Sequence, residues 1–249
     1  MIKSPYCRQG NKLKLLKDII KYVPEHKIYC EPFTGSGAVF FNLPKAKKSI
    51  LNDLDDNVYN ILKIIQKAPL DNEKYAHDLN TLNKIKSFYN NHSNSIEDLL
   101  LYYKILLCNG FNGKPVQKSS QIYQERNPDY ILKNLEYYKS MLKNVIITNK
   151  DYIDIVLKYD SPDTFFFIDP PYENTRKEFY SNSSIDFEQL CNILKSIKGL
   201  FLLTINDSPY IRKLFKGFII KKINVRSDWN NKTGGKLNRK ELFIMNYTL

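Results

Sequence analysis

Thr164-Phe165-Phe166-Phe167-Ile168 is an unbroken apolar run closed by Asp169-Pro170-Pro171-Tyr172. Five such residues with no alternation read as a strand buried on both faces, and strands of that kind belong to parallel sheets covered by helices. Prolines donate nothing to a sheet ladder, so the strand stops at Asp169. The rest of the chain keeps the same rhythm. Residues 27–30, 49–51, 144–148, 200–205, 218–223 and 241–247 read as further strands. Residues 11–23, 152–158, 186–197 and 208–215 read as helices, as does the stretch from Asp55 carrying Val58, Ile61, Leu62 and Ile65. This alternation predicts an α/β fold with a mostly parallel sheet, its last two strands forming an antiparallel edge.

Residues 56–143 break the pattern. Helix-like stretches at 74–90, 96–107 and 129–142 surround a loop at 109–127, with no strong strand. They predict a mostly helical lobe inserted between sheet strands. A chain of 249 residues has room for one substantial core and such a lobe.

Three positions at predicted strand ends carry chemistry. The Asp169 carboxylate and the Pro170 carbonyl can accept both N–H bonds of one amino group, and Tyr172 can stack on a flat ring beside them. Together they suit the exocyclic amine of a nucleobase; for Tyr172 the alternative is plain packing. Glu31-Pro32-Phe33-Thr34-Gly35-Ser36-Gly37 follows the first strand and is expected to lead into a helix. Its glycines allow close approach to the backbone, at the sheet edge where such folds bind small molecules. It is neither a phosphate loop nor a full dinucleotide fingerprint, because no Gly-Lys-Ser/Thr follows and Phe40 takes the third glycine position. The acid and the aromatic suit a cationic ligand, and a plain turn stays open. Asn52-Asp53-Leu54-Asp55 ends the next strand. Asp53 there can accept ribose hydroxyls, whereas Asp55 reads as a helix cap.

Charge points to the partner. The net charge is +12, and positions 221–241 hold Lys221, Lys222, Arg226, Lys232, Lys236, Arg239 and Lys240 against Asp228 and Glu241. A basic segment carrying Gly234-Gly235 suits phosphate contact; a solvated, lysine-biased surface is the alternative. Four cysteines without a Cys-x-x-Cys pair, and three histidines without ligand spacing, predict no metal and a reducing compartment. No apolar run approaches a membrane span, and the start of the chain lacks a signal-peptide core, so an intracellular, DNA-accessible location is expected rather than secretion.

The order of these motifs resembles the DNA adenine-N6 methyltransferases in which a cofactor motif precedes the recognition domain and an Asp-Pro-Pro-Tyr catalytic motif. Gly10-Asn11-Lys12 is similar to the family's amino-terminal cofactor segment, Asp151-Tyr152 to a pair after a later strand, and Asn206-Asp207 to another. The resemblance implies a Rossmann-like seven-stranded sheet, with 1–55 and 144–249 as the S-adenosylmethionine-dependent catalytic domain and 56–143 as the target-recognition domain. It implies catalytic roles for Asp169, Pro170, Pro171 and Tyr172. It places Tyr6, Arg8, Lys12, Glu31, Pro32, Phe33, Gly35, Gly37, Asp53, Asp151, Tyr152 and Asp169 around the cofactor. Phe33, Gly35 and Gly37 would lie against the methionine part, Lys12 on its carboxylate, Asp53 on the ribose, and Tyr152 with Asp151 at the adenine pocket. Asn109, Phe111, Asn112 and Lys114 resemble a loop that enters double-stranded DNA, and Arg226, Lys232, Lys236 and Arg239 are expected on phosphates. The chain departs from the family at Arg8, which replaces an aromatic, and at Asn11, which replaces a glycine. The Leu and Arg common in GATC-reading relatives are missing after Gly113. Methylation of a flipped-out adenine by direct in-line displacement is the expected activity, with restriction–modification as one biological setting. RNA adenine, cytosine N4, and a catalytically silent DNA-binding subunit are the alternatives.

Overall fold

The centre of the sheet is set by two strands far apart in sequence. Strand β1 (Ile28–Glu31) pairs in parallel with β4 (Thr164–Ile168), matching Ile28 with Thr164, Tyr29 with Phe165 and Cys30 with Phe166. This computed structural model describes residues 1–6, 10–67, 134–172, 185–225 and 239–248. The remaining strands are β2 (Lys48–Asn52), β3 (Ile146–Thr148), β5 (Leu200–Asn206), β6 (Ile219–Val225) and β7 (Arg239–Met245). Together they form one seven-stranded sheet in the order β3-β2-β1-β4-β5-β7-β6. β1 to β5 are parallel to their neighbours; β7 runs antiparallel to both β5 and β6. Chain order reverses between β1 and β4, so a ligand crevice belongs at their carboxyl ends.

All five β4 residues are buried, and they alternate between two cores. On one face Phe165 and Phe167 pack with Tyr29, Leu51, Leu202 and Phe243. Helices α1 (Leu16–Lys21), α2 (Asp56–Lys67) and α3 (Leu135–Leu142) cover it. On the other, Phe166 and Ile168 pack with Cys30, Ile50, Phe201 and Leu203. That face is covered by α4 (Tyr152–Tyr159), α5 (Phe187–Ser196) and α6 (Pro209–Leu214). Each buried Phe contributes about 1.5–3 kcal/mol, so the continuous apolar run is what fixes β4 in the middle.

Local signals explain the helices. α2 buries Val58, Ile61, Leu62 and Ile65, a spacing that lines one helical face. Asp186 caps α5 by accepting from the Glu188 and Gln189 N–H groups at 2.9 and 3.0 Å. Ser208 caps α6, with Pro209 in the first turn. α2 and α3 are the described ends of the 56–143 segment, and both pack in the same cluster as Leu51, Phe165 and Phe243.

Two expectations change. The helix expected over 11–23 is a 3-10 turn (Lys12–Lys14) followed by the shorter α1. The Asn11 side chain accepts from the Leu13 N–H at 2.8 Å, which starts the tight turn rather than a full helix. The helix expected after the glycine loop is likewise only a 3-10 turn, Phe40–Asn42. Leu43 precedes Pro44 and is extended, leaving no length for an α-helix. Among the described residues no helix is long and apolar enough to cross a membrane.

Candidate active site

The carboxyl ends of β1, β2, β4 and β5 bring the predicted groups to one edge. Asp169 follows β4 directly, and its Oδ1 accepts the Thr204 hydroxyl of β5 at 2.8 Å. The same oxygen pairs with Lys12 Nζ at 2.8 Å. The two side chains are 6% and 19% exposed, so this ion pair lies largely out of water. Burial pushes the Asp169 carboxyl above the usual range, and the Lys12 ammonium and Thr204 hydroxyl pull the other way. Lys12 Nζ also donates to the Gly10 carbonyl at 3.0 Å and lies 4.9 Å from the centre of the Tyr172 ring. The resemblance put Lys12 on the cofactor's carboxylate; here its ammonium rests on Asp169.

One strand away, Gly35 and Gly37 adopt φ of 51° and 65°, the left-handed region that favours glycine. A Cβ on Gly37 would also approach the Phe41 ring to 2.9 Å. Asp53 Oδ2 accepts the Gly35 N–H at 2.7 Å, and its Oδ1 accepts the Asp55 N–H at 3.0 Å. Asp53 therefore holds the loop from below while its carboxylate stays at the strand end. The amino-terminal segment braces the loop from the other side: Tyr6 donates its hydroxyl to the Gly35 carbonyl at 2.5 Å, and Ser4 bonds Ser36 at 3.2 Å.

Glu31 is 1% exposed. Its Oε1 accepts from the Tyr29 hydroxyl and from the Phe40 N–H, while the buried Oε2 has no partner among the described residues. Burial drives its carboxyl up to about 8 against those two hydrogen bonds, with Asp169 and Asp53 adding repulsion. Phe33 and Tyr152 stack at 5.0 Å with a 32° tilt, and the Tyr152 hydroxyl is buried without a partner among the described residues. Asp151 is exposed and caps α4 through the Ile153 N–H. Pro170 is buried, with Pro171 and Tyr172 half-buried after it.

Two residues with no role foreseen from sequence organise this edge. Thr204 is a fully buried hydroxyl inside an otherwise apolar strand, and that oddity was the signal available. Asn52 is 1% exposed and ties three strand ends together. Its amide donates to the Pro32 and Lys150 carbonyls, both at 2.9 Å. Its oxygen accepts from the Thr148 hydroxyl at 2.8 Å and the Lys150 N–H at 2.9 Å. Arg8, Asn109, Phe111, Asn112, Lys114, Arg226, Lys232 and Lys236, and the side chain of Arg239, lie outside the described residues.

A parallel sheet with a glycine loop after β1 and a largely buried carboxylate after β4, flanking the switch point, narrows the possible families. The family model for D12 class N6 adenine-specific DNA methyltransferases matches residues 9–228. The chain belongs to this family. Among its relatives is the type II methyltransferase M.MjaIII of Methanocaldococcus jannaschii, 27% identical with 96% of each chain covered. M.CviBI of Paramecium bursaria Chlorella virus NC1A is 26% identical over 96% of this chain and 97% of its own. The DNA adenine methylase of Escherichia coli K12 is 22% identical over 95% and 92%. D12 methyltransferases act on adenine in DNA, so the cytosine and RNA alternatives left open by the tetrapeptide fall away.

Proposed function

We propose that this edge holds S-adenosylmethionine on the β1 side and a flipped-out adenine on the β4 side of one crevice. The observation that carries the reading is Asp169: a largely buried carboxylate fixed by Thr204, one strand away from the glycine loop. The residues present fit the cofactor. Gly35 and Gly37 keep side chains off the loop, Phe33 stacked on Tyr152 offers a flat face, and Asp53 and Asp169 supply carboxylates for a cation. Tyr6, Pro32 and Lys12 complete its wall, and Asp53 would accept the ribose hydroxyls. Asp151 caps α4 through one oxygen, and its other oxygen would line the adenine pocket beside Tyr152. When bound, the cofactor supplies a methyl group on a sulfonium, already a good leaving group.

The chain's own work is positioning. An adenine amine has its lone pair delocalised into the ring and is a weak nucleophile. Asp169 and the Pro170 carbonyl would accept its two N–H bonds, turning the lone pair toward the methyl group for in-line attack. Asp169 would then take the departing proton. Tyr172 stacking would offset part of the few kcal/mol that flipping a base costs. Holding two reactants in line can lower the barrier by about 7–11 kcal/mol.

Double-stranded DNA would lie over this same edge. β6 ends at Val225 and β7 starts at Arg239, at the same end of the sheet as Asn206, and the sequence between them carries Arg226, Lys232 and Lys236. Reading of the target sequence would fall to the 56–143 segment, and the protein would work wherever intracellular DNA is accessible.

Tritiated methyl transfer to unmethylated genomic DNA, followed by nucleoside chromatography, tests this reading. The expected product is N6-methyladenine, abolished by Asp169→Ala with DNA affinity largely kept. Turnover by Asp169→Ala within about tenfold of wild type, about 1.4 kcal/mol, would sink the role of amine holder. No transfer and no cofactor binding by the wild type would point to a silent DNA-binding subunit.

A further inference from the structure

Lys12 stands in the seat that the target amine needs. Its ammonium donates to Asp169 at 2.8 Å and faces the Tyr172 ring at 4.9 Å, the two groups assigned above to the base. Lys12 and the Thr204 hydroxyl already share Oδ1, so a docking amine meets an ammonium crowding the same carboxylate. A positive charge there also opposes the charge that the attacking nitrogen acquires as the methyl group moves. Productive docking of a base is therefore favoured when Lys12 leaves Asp169.

The segment that carries Lys12 is fastened to the glycine loop through Ser4–Ser36 and Tyr6–Gly35. A lysine ammonium on a four-carbon stem pivots without moving its backbone. On the cofactor reading above, the amino-acid end of the cofactor would bring a carboxylate to that loop, and a buried carboxylate requires a cation or several donors.

Resting on the function proposed above, we infer that Lys12 is a cation shared between two sites. It rests on Asp169 in the ligand-free protein and transfers to the cofactor's carboxylate on binding, so that cofactor binding clears the seat of the target base. The two binding events are then coupled, and the coupling is reciprocal.

Calorimetry with S-adenosylhomocysteine tests this. It keeps the carboxylate but lacks the sulfonium charge, so direct attraction between Asp169 and sulfonium does not enter. Asp169→Asn releases Lys12 and should tighten binding about fivefold or more. In a Lys12→Met background the same substitution should have almost no effect. An equal gain in both backgrounds, or none in either, overturns the exchange. Failure of the wild type to bind at all would instead overturn the cofactor reading itself.

A second measurement needs no variant at Lys12. The Asp169 carboxyl carbon, assigned by its loss in Asp169→Asn, can be followed by NMR across pH. The groups acting on it are Lys12, Thr204 and, at longer range, Glu31. Adding S-adenosylhomocysteine should move its titration to higher pH, because the carboxylate has lost its cation. An unchanged midpoint in the bound protein also overturns the exchange.

Discussion

Lys12 and Asp169 form a nearly buried ion pair in which the carboxylate oxygen facing the ammonium also accepts the Thr204 hydroxyl. Removing the cation leaves a carboxylate that burial already disfavours. Lys12→Met should therefore destabilise the ligand-free protein by about 1–3 kcal/mol at pH 8. At pH 5 the loss should be smaller, since Asp169 without its partner escapes by binding a proton. Urea unfolding at the two pH values checks this. Equal losses would mean that the pair contributes nothing beyond packing.

Thr204→Val keeps the shape of a buried side chain and deletes one hydroxyl. Stability should change little, while turnover falls about 10- to 100-fold, as expected for a hydrogen bond to a charged group. The cofactor's apparent affinity should stay near wild type, because Thr204 sits on the far side of β4 from the glycine loop. Steady-state kinetics with varied cofactor separates the two effects. A change confined to cofactor affinity would contradict the assignment.

Asn52→Leu strands the Pro32 carbonyl after β1 and, at the end of β3, the Thr148 hydroxyl and both backbone groups of Lys150, the Pro32 carbonyl being the most buried of them. Each buried group left unpaired costs about 1–3 kcal/mol. Urea denaturation should show a loss of roughly 3 kcal/mol or more, with cofactor binding lost in parallel. A loss below about 1 kcal/mol would indicate that water takes over those partners.

Glu31 gives the fold a pH dependence. Its carboxyl is raised from 4.5 to about 8 in the folded protein. Between those values the folded state holds a proton that the unfolded state has released, so stability falls as pH rises across the window. The slope is about 1.4 kcal/mol per pH unit at its steepest. Thermal unfolding of wild type and Glu31→Gln from pH 5 to pH 8 should show the wild type losing ground to the variant. Parallel curves would mean that Glu31 is ionised throughout.

The layout of this protein is legible in its sequence where hydrophobic pattern and punctuation agree. The apolar 164–168 run, ended by prolines, allows no other place than the sheet centre, and β4 is there. Strands 200–205 and 218–223 are found within two residues of their expected ends. The pattern fails where a single side chain overrides propensity. Asn11 turns the first helix into a 3-10 start, and Pro44 truncates the turn after the glycine loop. Thr204 and Asn52 escaped because their importance lies in partners 35 and 98 residues away, respectively, which periodicity does not reveal. Lys12 was read as a cofactor ligand from its neighbours in sequence. Its contact with Asp169 depends on how the amino-terminal segment lies over the sheet, which only the fold supplies.

The reversed direction of β7 has an evolutionary corollary. Because β6 ascends and β7 descends, Val225 and Arg239 both open on the reactive edge while their ladder is fixed below by pairs such as Ile219–Met245. The stretch between them can be lengthened, shortened or exchanged without shifting the register of a single strand. On the proposed reading, the stretch that meets DNA can thus be exchanged while the strands that carry Asp169 and Thr204 stay in place.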